Sequence, residues 1–499
     1  MIDLTVAQIA EIVGGRLAGI DETEAAVRLV SGSAEFDSRA VTPGGLFIAL
    51  PGARSDGHDF ARAAVAAGAA VVLGARPTGV PTIVAPPAPA PDARAGLLAH
   101  DSDGSAAAVL AALARLAAAV AARLISGGLR IIGITGSSGK TSTKDLIAAV
   151  LRPLGDVVAP PGSFNNELGV PWTVLQATAD TDFLVLEMSA RHPGNIAALA
   201  AIAPPSIAAV LNVGTAHLGE FGSREVIAKT KAELVQAVPP SGVVVLNSDD
   251  PVVAAMAGLT RARVVMAGCA ADADVRAEHV VLDALARPSF TLHAPAGSRQ
   301  VALAVHGAHQ VGNALCAAAV GLECGATLDQ VANALAGAAP ASRHRMEVRT
   351  RPDGVTVIND AYNANPDSMR AGLQALAVMA GRQDKRSWAV LGEMAELGEE
   401  AIAEHDRIGR LAVRLDISRL VVVGTGRPAN AMHHGAVMEG SWGLESTIVP
   451  DVDAALALLR DQLEPGDVVL VKASNAAGLG ALAEALTDHA DQPPGDTAR

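Results

Sequence analysis

The segment Thr135-Gly136-Ser137-Ser138-Gly139-Lys140-Thr141 carries the residue types that hold a nucleotide's phosphates. Glycines let a backbone turn tightly and aim its N–H groups inward, and a helix starting at the lysine adds partial positive charge. In that setting Lys140 reaches the terminal phosphates and the Thr141 hydroxyl takes magnesium. The common pattern has Gly where this chain has Ile134, so the loop is the shorter Gly-x-x-Gly-Lys-Thr form. A chance Gly/Ser turn is the competing reading. An apolar strand before the loop and a helical pattern after it weigh against that, and the loop points to an ATP-using enzyme.

Other polar residues sit at the ends of neighbouring apolar runs. Glu187 closes one run, Asn212 ends another, and His217 follows just past it. Open α/β sheets bind ligands beyond the carboxyl ends of their strands. Either residue alone is as readily an ordinary surface group, but Glu187 and His217 together beside a phosphate loop predict a metal site. Lys229 and Lys231 fall on a helix that starts near Ser223, and composition alone favours a solvated face for both. His309 and Asn313, four residues apart, can face one site or form a capping or interhelical pair.

These residues need elements to position them. Residues 130–135, 183–188, 207–213 and 243–247 are Val/Ile-rich runs that read as buried parallel strands, with helices after the first and third. That alternation predicts a doubly wound α/β sheet. A second alternating block starts near Arg343, with strands at 355–359, 389–392, 420–423 and 468–472. The first hundred residues read as a small mixed domain with strands at 45–50 and 69–73. The Pro/Ala stretch 77–91 reads as an irregular loop. The tail from Asp491 is polar and Pro-rich, and is expected to be disordered.

A length of 499 residues suits roughly three domains. Half the residues are hydrophobic but only 2% are aromatic, so the cores rest on Ala, Val and Leu. The net charge of -14, with no Lys/Arg run, excludes nucleic acid as the main partner while leaving room for a small anionic substrate. Cys269, Cys316 and Cys324 form neither a disulfide framework nor a zinc spacing, which fits a reducing cytoplasm. The start Met1-Ile2-Asp3-Leu4 has no signal-peptide pattern. The Ala-rich run 106–124 contains Arg115 and Arg123 and reads as a soluble helix, so no membrane insertion is expected.

Ordered segments along the chain resemble the Mur ligases. They are Asp37-Ser38-Arg39 with Asp56-Gly57-His58, the loop Thr135 to Thr141, Asn165-Asn166-Glu167-Leu168-Gly169-Val170-Pro171, and Glu187-Met188-Ser189-Ala190-Arg191. They continue with Ala216-His217-Leu218, Phe221-Gly222-Ser223, Lys231-Ala232-Glu233, His309 to Asn313 and Arg343-His344-Arg345-Met346-Glu347. Last come Asp360-Ala361-Tyr362-Asn363-Ala364-Asn365-Pro366 and Gly392-Glu393-Met394-Ala395-Glu396-Leu397-Gly398. The run from Asp360 to Pro366 is the most specific and looks like the dipeptide-adding member.

The resemblance implies three domains: a UDP-substrate domain at 1–103, a central ATP-binding domain at 104–341 and a C-terminal Rossmann-like domain at 342–490, with 491–499 as tail. It implies ATP and two magnesium ions, held by Thr141, Glu187, His217 and a carbamylated Lys231, so that Lys231 leaves the solvated face and Lys229 keeps it. It places Gly136, Ser137, Ser138, Gly139, Lys140, Thr141, Ser142, Asn313, Arg345 and Asp360 on the nucleotide. It places Ser38, Arg39, Asn165, Asn166, Ser189, Arg191, Tyr362, Asn363 and Asn365 on the other substrates. Those would be a UDP-N-acetylmuramoyl-tripeptide and D-alanyl-D-alanine, joined by a cytoplasmic monomer. Two positions depart from the family pattern: Ser189 replaces a Gly, and Asn475 replaces an Arg. A sister ligase adding one amino acid is the nearest rival. The amidating ligase with a four-cysteine zinc insertion does not suit three scattered cysteines. A non-catalytic nucleotide-binding relative does not suit the intact Lys140, Thr141, Glu187, His217 and Lys231.

Overall fold

Four β-branched runs converge on one large sheet. The computed structural model describes residues 1–52, 55–88, 98–216, 218–381, 385–440 and 446–488. The central sheet has nine strands, with Arg130–Thr135 between Phe183–Glu187 and Ile207–Val210. Register pairs Glu187 with Ile134 and Val210 with Thr135. The carboxyl ends of all three strands therefore open at one edge, and that edge carries the phosphate loop.

Strand residues alternate between two cores, as a sheet covered on both faces requires. Ile132, Ile134 and Val185 pack with Leu146, Ile147 and Val150 of helix Lys140–Leu151 and with helix Gln310–Glu323. Ile131, Leu184 and Leu186 pack on the other face with helices Ser105–Ser126, Asn195–Ile202 and Arg224–Ala237. Ser223 caps the last of these, its hydroxyl accepting from the Val226 N–H.

Several expectations change. The strand expected to reach residue 213 ends at Val210, because Asn212 turns its side chain toward the phosphate loop. A helix, Asn195–Ile202, also follows the second strand; its sequence, NIAALAAI, has no polar face, so no helical period is visible. The sheet is not purely parallel: Pro288–Ala294 and Gly297–Ala302 extend it as antiparallel edge strands. Their exposed residues hide the apolar pattern of a buried strand.

The N-terminal sheet has five strands, and the stretch 77–91 is not wholly a loop. Thr82–Val84 pairs in parallel with Ala69–Gly74 and antiparallel to Arg16–Ala18. The β-branched Thr-Ile-Val triplet outweighs its flanking prolines, since Pro81 contributes a carbonyl that accepts from the Val72 N–H. Residues 89–91 lie outside the described residues.

Helix Ser105–Ser126 is, among the described residues, the one helix long and apolar enough to cross a membrane. Here Leu113, Leu116 and Val120 are fully buried in the core shared by the N-terminal and central sheets. Arg115 donates to the Val13 carbonyl at 3.1 Å. Trp172 makes a second join between these domains, meeting Phe36 edge-on and Phe164 at a tilt, with its indole N–H reaching Glu35 at 3.4 Å.

The C-terminal sheet has six strands: Thr356–Asn359, Val468–Lys472, Ser387–Leu391, Arg419–Val423 and Ser446–Val449 run parallel, and Glu347–Thr350 is an antiparallel edge. The edge strand and Ser446–Val449 are additions to the sequence reading. The tail from Asp491 lies outside the described residues.

Candidate active site

The phosphate loop is shaped by a residue that lies outside it. Asn212 Oδ1 accepts from the Ser137 and Ser138 N–H groups at 2.9 and 3.0 Å, and its Nδ2 donates to the Ser138 carbonyl at 3.1 Å. Gly139 sits at φ +80°, where an added Cβ would meet Asn313 Oδ1 at 2.6 Å. Glycine is therefore required twice over, for conformation and for space. Lys140 Nζ donates to the Gly136 carbonyl at 2.8 Å. Its ammonium is lowered to about 8, chiefly by burial, with Arg345 adding and Glu187 opposing. Partial exposure along the cleft keeps Lys140 open to an anion.

Glu187 is 2% exposed at the end of its strand. Ser163 donates to its Oε2 at 2.9 Å, while its Oε1 is buried without a hydrogen-bond partner. A bare buried carboxylate oxygen is costly unless a cation meets it. With the Thr141 hydroxyl at the start of the loop's helix, these hard oxygen donors suit magnesium. No group of three His, Cys, Asp or Glu side chains gathers among the described residues. His217 lies outside the described residues.

Lys231 corrects the composition-based reading. It is 8% exposed and its pKa falls well below 10.5, first through burial and then through Lys140. Lys229 on the same helix is exposed. The difference follows from helical phase: Lys231 turns inward beside Thr230 and Ile227.

The C-terminal domain is docked on the loop. Arg345 donates to Thr141 Oγ1 at 3.2 Å and lies 4.1 Å from the Tyr362 ring centroid. Its neighbours His344 and Met346 both hold positive φ, a strained bend that aims Arg345 into the cleft. Asp360 accepts from the Met346 N–H at 3.1 Å and from Lys472 Nζ at 2.6 Å. Asn365 donates to the Ser137 carbonyl at 3.4 Å, and Asp367 accepts from the Thr215 N–H at 3.2 Å. At the rim, Arg191 pairs with Glu396 at 3.1 Å.

Most of these groups, though not Lys231, line one cavity of about 1140 Å³ between the domains. It gathers the residues from Ser137 to Ser142 with Asn165, Asn166, Glu187, Ser189, Arg191, His309, Asn313, Arg345, Asp360, Tyr362, Asn363 and Asn365. His309 and Asn313 thus share a site. Ser38 and Arg39 do not line it; Arg39 is exposed and its guanidinium pairs with Asp37 at 2.7 Å, holding that carboxyl down to about 2. Asn475 is exposed, whereas Lys472, three residues earlier, is 1% exposed and faces the cavity. The sequence marks Asn212, like Glu187, by its place at a strand end but gives it no function, and it assigns no role to Lys472 or Asp367. Lys472 bears the same signal, a polar side chain at the end of an apolar strand.

Comparison with known proteins matches three family models. They are the Mur ligase family catalytic domain over residues 34–120, the Mur ligase middle domain over 134–321 and the Mur ligase glutamate ligase domain over 344–475. A UDP-N-acetylmuramoyl-tripeptide–D-alanyl-D-alanine ligase of Mycobacterium tuberculosis is 73% identical, covering 97% of this chain and 98% of that one. The chain belongs to the Mur ligase family. The Escherichia coli ligase of the same name is 33% identical over 98% of this chain and 99% of that one. Among solved structures, this Mur ligase resembles MurF from Acinetobacter baumannii with a TM-score of 0.81 at 29% identity, over 97% of this chain and 99% of that one. It resembles MurF from Thermotoga maritima in complex with ADP with a TM-score of 0.73 at 27% identity, over 93% and 98%.

Proposed function

We propose that this Mur ligase joins D-alanyl-D-alanine to the terminal carboxylate of UDP-N-acetylmuramoyl-tripeptide. The products are UDP-N-acetylmuramoyl-pentapeptide, ADP and phosphate, formed for peptidoglycan precursor synthesis. The observation that carries this reading is 73% identity across nearly the whole chain to ligases of that name. The run from Asp360 to Pro366, the segment that resembles the dipeptide-adding member, supports the same reading.

A carboxylate is a poor electrophile, so it must be activated. The carboxylate oxygen takes the γ-phosphoryl group of ATP, and ADP leaves. The dipeptide amine then attacks the acyl phosphate, forms the amide, and inorganic phosphate departs with the shared oxygen. The first step brings two anions together, which Lys140 and Arg345 offset from opposite domains. Two magnesium ions, when bound, would neutralise charge on the transferring group. Thr141, Glu187, His217 and a carbamylated Lys231 would hold them. A lysine amine adds carbon dioxide only when neutral, and the depressed Lys231 favours that form. Asn365 and Asp367 hold the C-terminal domain over the loop, which keeps water from the acyl phosphate. Ser189, Arg191, Tyr362 and Asn363 lie on the walls left for the peptide and the amine. The same reading makes the protein a cytoplasmic monomer, with helix Ser105–Ser126 as interdomain core and no membrane insertion.

Oxygen labelling tests the route. With ¹⁸O in the terminal carboxylate of the tripeptide, each peptide bond formed should deliver one ¹⁸O into phosphate. Pentapeptide formed with unlabelled phosphate would sink this reading.

A further inference from the structure

Behind the metal-facing carboxylate lies a buried charge that the mechanism above does not use. Lys144 stands one helical turn after Lys140 on Lys140–Leu151 and is 3% exposed. Its ammonium donates to the Pro160 carbonyl at 2.5 Å and the Gly162 carbonyl at 2.8 Å. It lies 3.3 Å from Asp145 Oδ1 and 3.9 Å from Glu187 Oε1, the carboxylate oxygen that has no hydrogen-bond partner. The loop it grips supplies Ser163, which donates to the other oxygen of Glu187 at 2.9 Å. Lys144 therefore touches Glu187 by charge on one oxygen and through Ser163 on the other.

The same cluster reaches the joint between domains. Ser342 is 3% exposed and lies between the middle-domain match ending at 321 and the C-terminal match starting at 344. Its N–H donates to Asp145 Oδ2 at 3.1 Å, and its hydroxyl accepts from the Gly162 N–H at 3.0 Å. Ser342 thus ties the linker to the helix by one bond and to the Lys144-held loop by the other. Three residues on, Arg345 meets Thr141.

We propose that Lys144 is a positioning residue that sets the Glu187 carboxylate for magnesium and, through Asp145, Gly162 and Ser342, couples that setting to the placement of the C-terminal domain. This rests on the reading of Glu187 as a magnesium ligand. Lys144 itself touches neither nucleotide nor metal: at 3.9 Å from Glu187 it balances a charge rather than occupying the ligand position. Without it, two carbonyls and a buried carboxylate lose their shared cation, and the 160–163 loop loses the contact that orients Ser163.

The test uses the full chain with ADP and no amine substrate, so it stands whether or not D-alanyl-D-alanine is the nucleophile. Calorimetry would measure Mg²⁺ affinity at saturating ADP, and ADP affinity separately in chelator. Lys144→Met should weaken Mg²⁺ by roughly 10-fold or more, the usual loss when an outer-shell partner of a ligand is removed, and leave metal-free ADP affinity within about twofold. Lys144→Arg, which keeps the charge, should recover part of the loss. Ser342→Ala should weaken Mg²⁺ less, and its effect should shrink in the Lys144→Met background, because both act through one loop. Unchanged Mg²⁺ affinity in Lys144→Met, with only a lower melting temperature, would overturn the proposal. If Lys144→Met does not fold, Asp145→Asn and Ser342→Ala decide it: normal Mg²⁺ affinity in both is the overturning result.

Discussion

Two lysines on helices that cover opposite faces of the central sheet differ in their chemistry. Lys140, at about 8, is half neutral in weakly alkaline solution and gains its proton back when anionic phosphates arrive. Nucleotide binding should therefore take up protons between about pH 8 and the ordinary lysine value of 10.5, and take up few below pH 7. Because the folded value lies below the unfolded one, the ammonium disfavours the fold, and that cost fades as pH rises through the same window. Titration calorimetry in two buffers of different ionisation enthalpy measures the uptake, and Lys140→Arg should abolish it. Equal uptake in the variant would show that another group titrates. Burial, and then Lys140, push the Lys231 amine well below the ordinary lysine value, the direction that a carbamate precursor needs. Lys231→Ala should lose most activity and recover part of it with acetate or formate, which can place an oxygen donor in the vacated space. Near-normal turnover of Lys231→Ala without added carboxylate would contradict that role.

At the scale of elements, the strand–loop–helix unit has no room for a methyl group at Gly139. Gly139→Ala forces an L-residue to φ +80° at a cost on the order of 1–2 kcal/mol and drives Cβ onto Asn313. It should lower ATP affinity at least 10-fold by equilibrium binding; parental affinity would refute the account of the loop. This unit was fully legible in the sequence, because buried parallel strands are continuous β-branched runs and the loop residues are chemically distinctive. Residues 130–135, 243–247 and 468–472 match strands to the residue. The antiparallel edge Pro288–Ala294 and Gly297–Ala302 was not legible, since half-exposed strands dilute the apolar signal. Thr82–Val84 was masked by its prolines. Lys231 could not be separated from Lys229 by composition, because only the packed neighbours decide which face of the helix is buried.

Over the whole molecule, the site lies where the central and C-terminal domains meet beside helix Ser105–Ser126. The N-terminal domain is tied to the central one by helix Ser105–Ser126 and Trp172, and the C-terminal domain by Arg345, Asn365 and Asp367. The cavity of about 1140 Å³ is large for one nucleotide, as joining a nucleotide, a UDP-linked peptide and an amine requires. Most cavity residues were readable from sequence segments that lie far apart along the chain. Ser38 and Arg39 were placed by resemblance at the substrate, yet they stand away from the cavity wall, and no local pattern could have shown that. The most direct test offers the protein UDP-N-acetylmuramoyl-tripeptide and ATP with a panel of amines, following ADP release and product mass. D-alanyl-D-alanine should give UDP-N-acetylmuramoyl-pentapeptide with one ADP per bond, and single amino acids should give almost none. Efficient ligation of a single amino acid, or ADP release without any peptide product, would contradict the account.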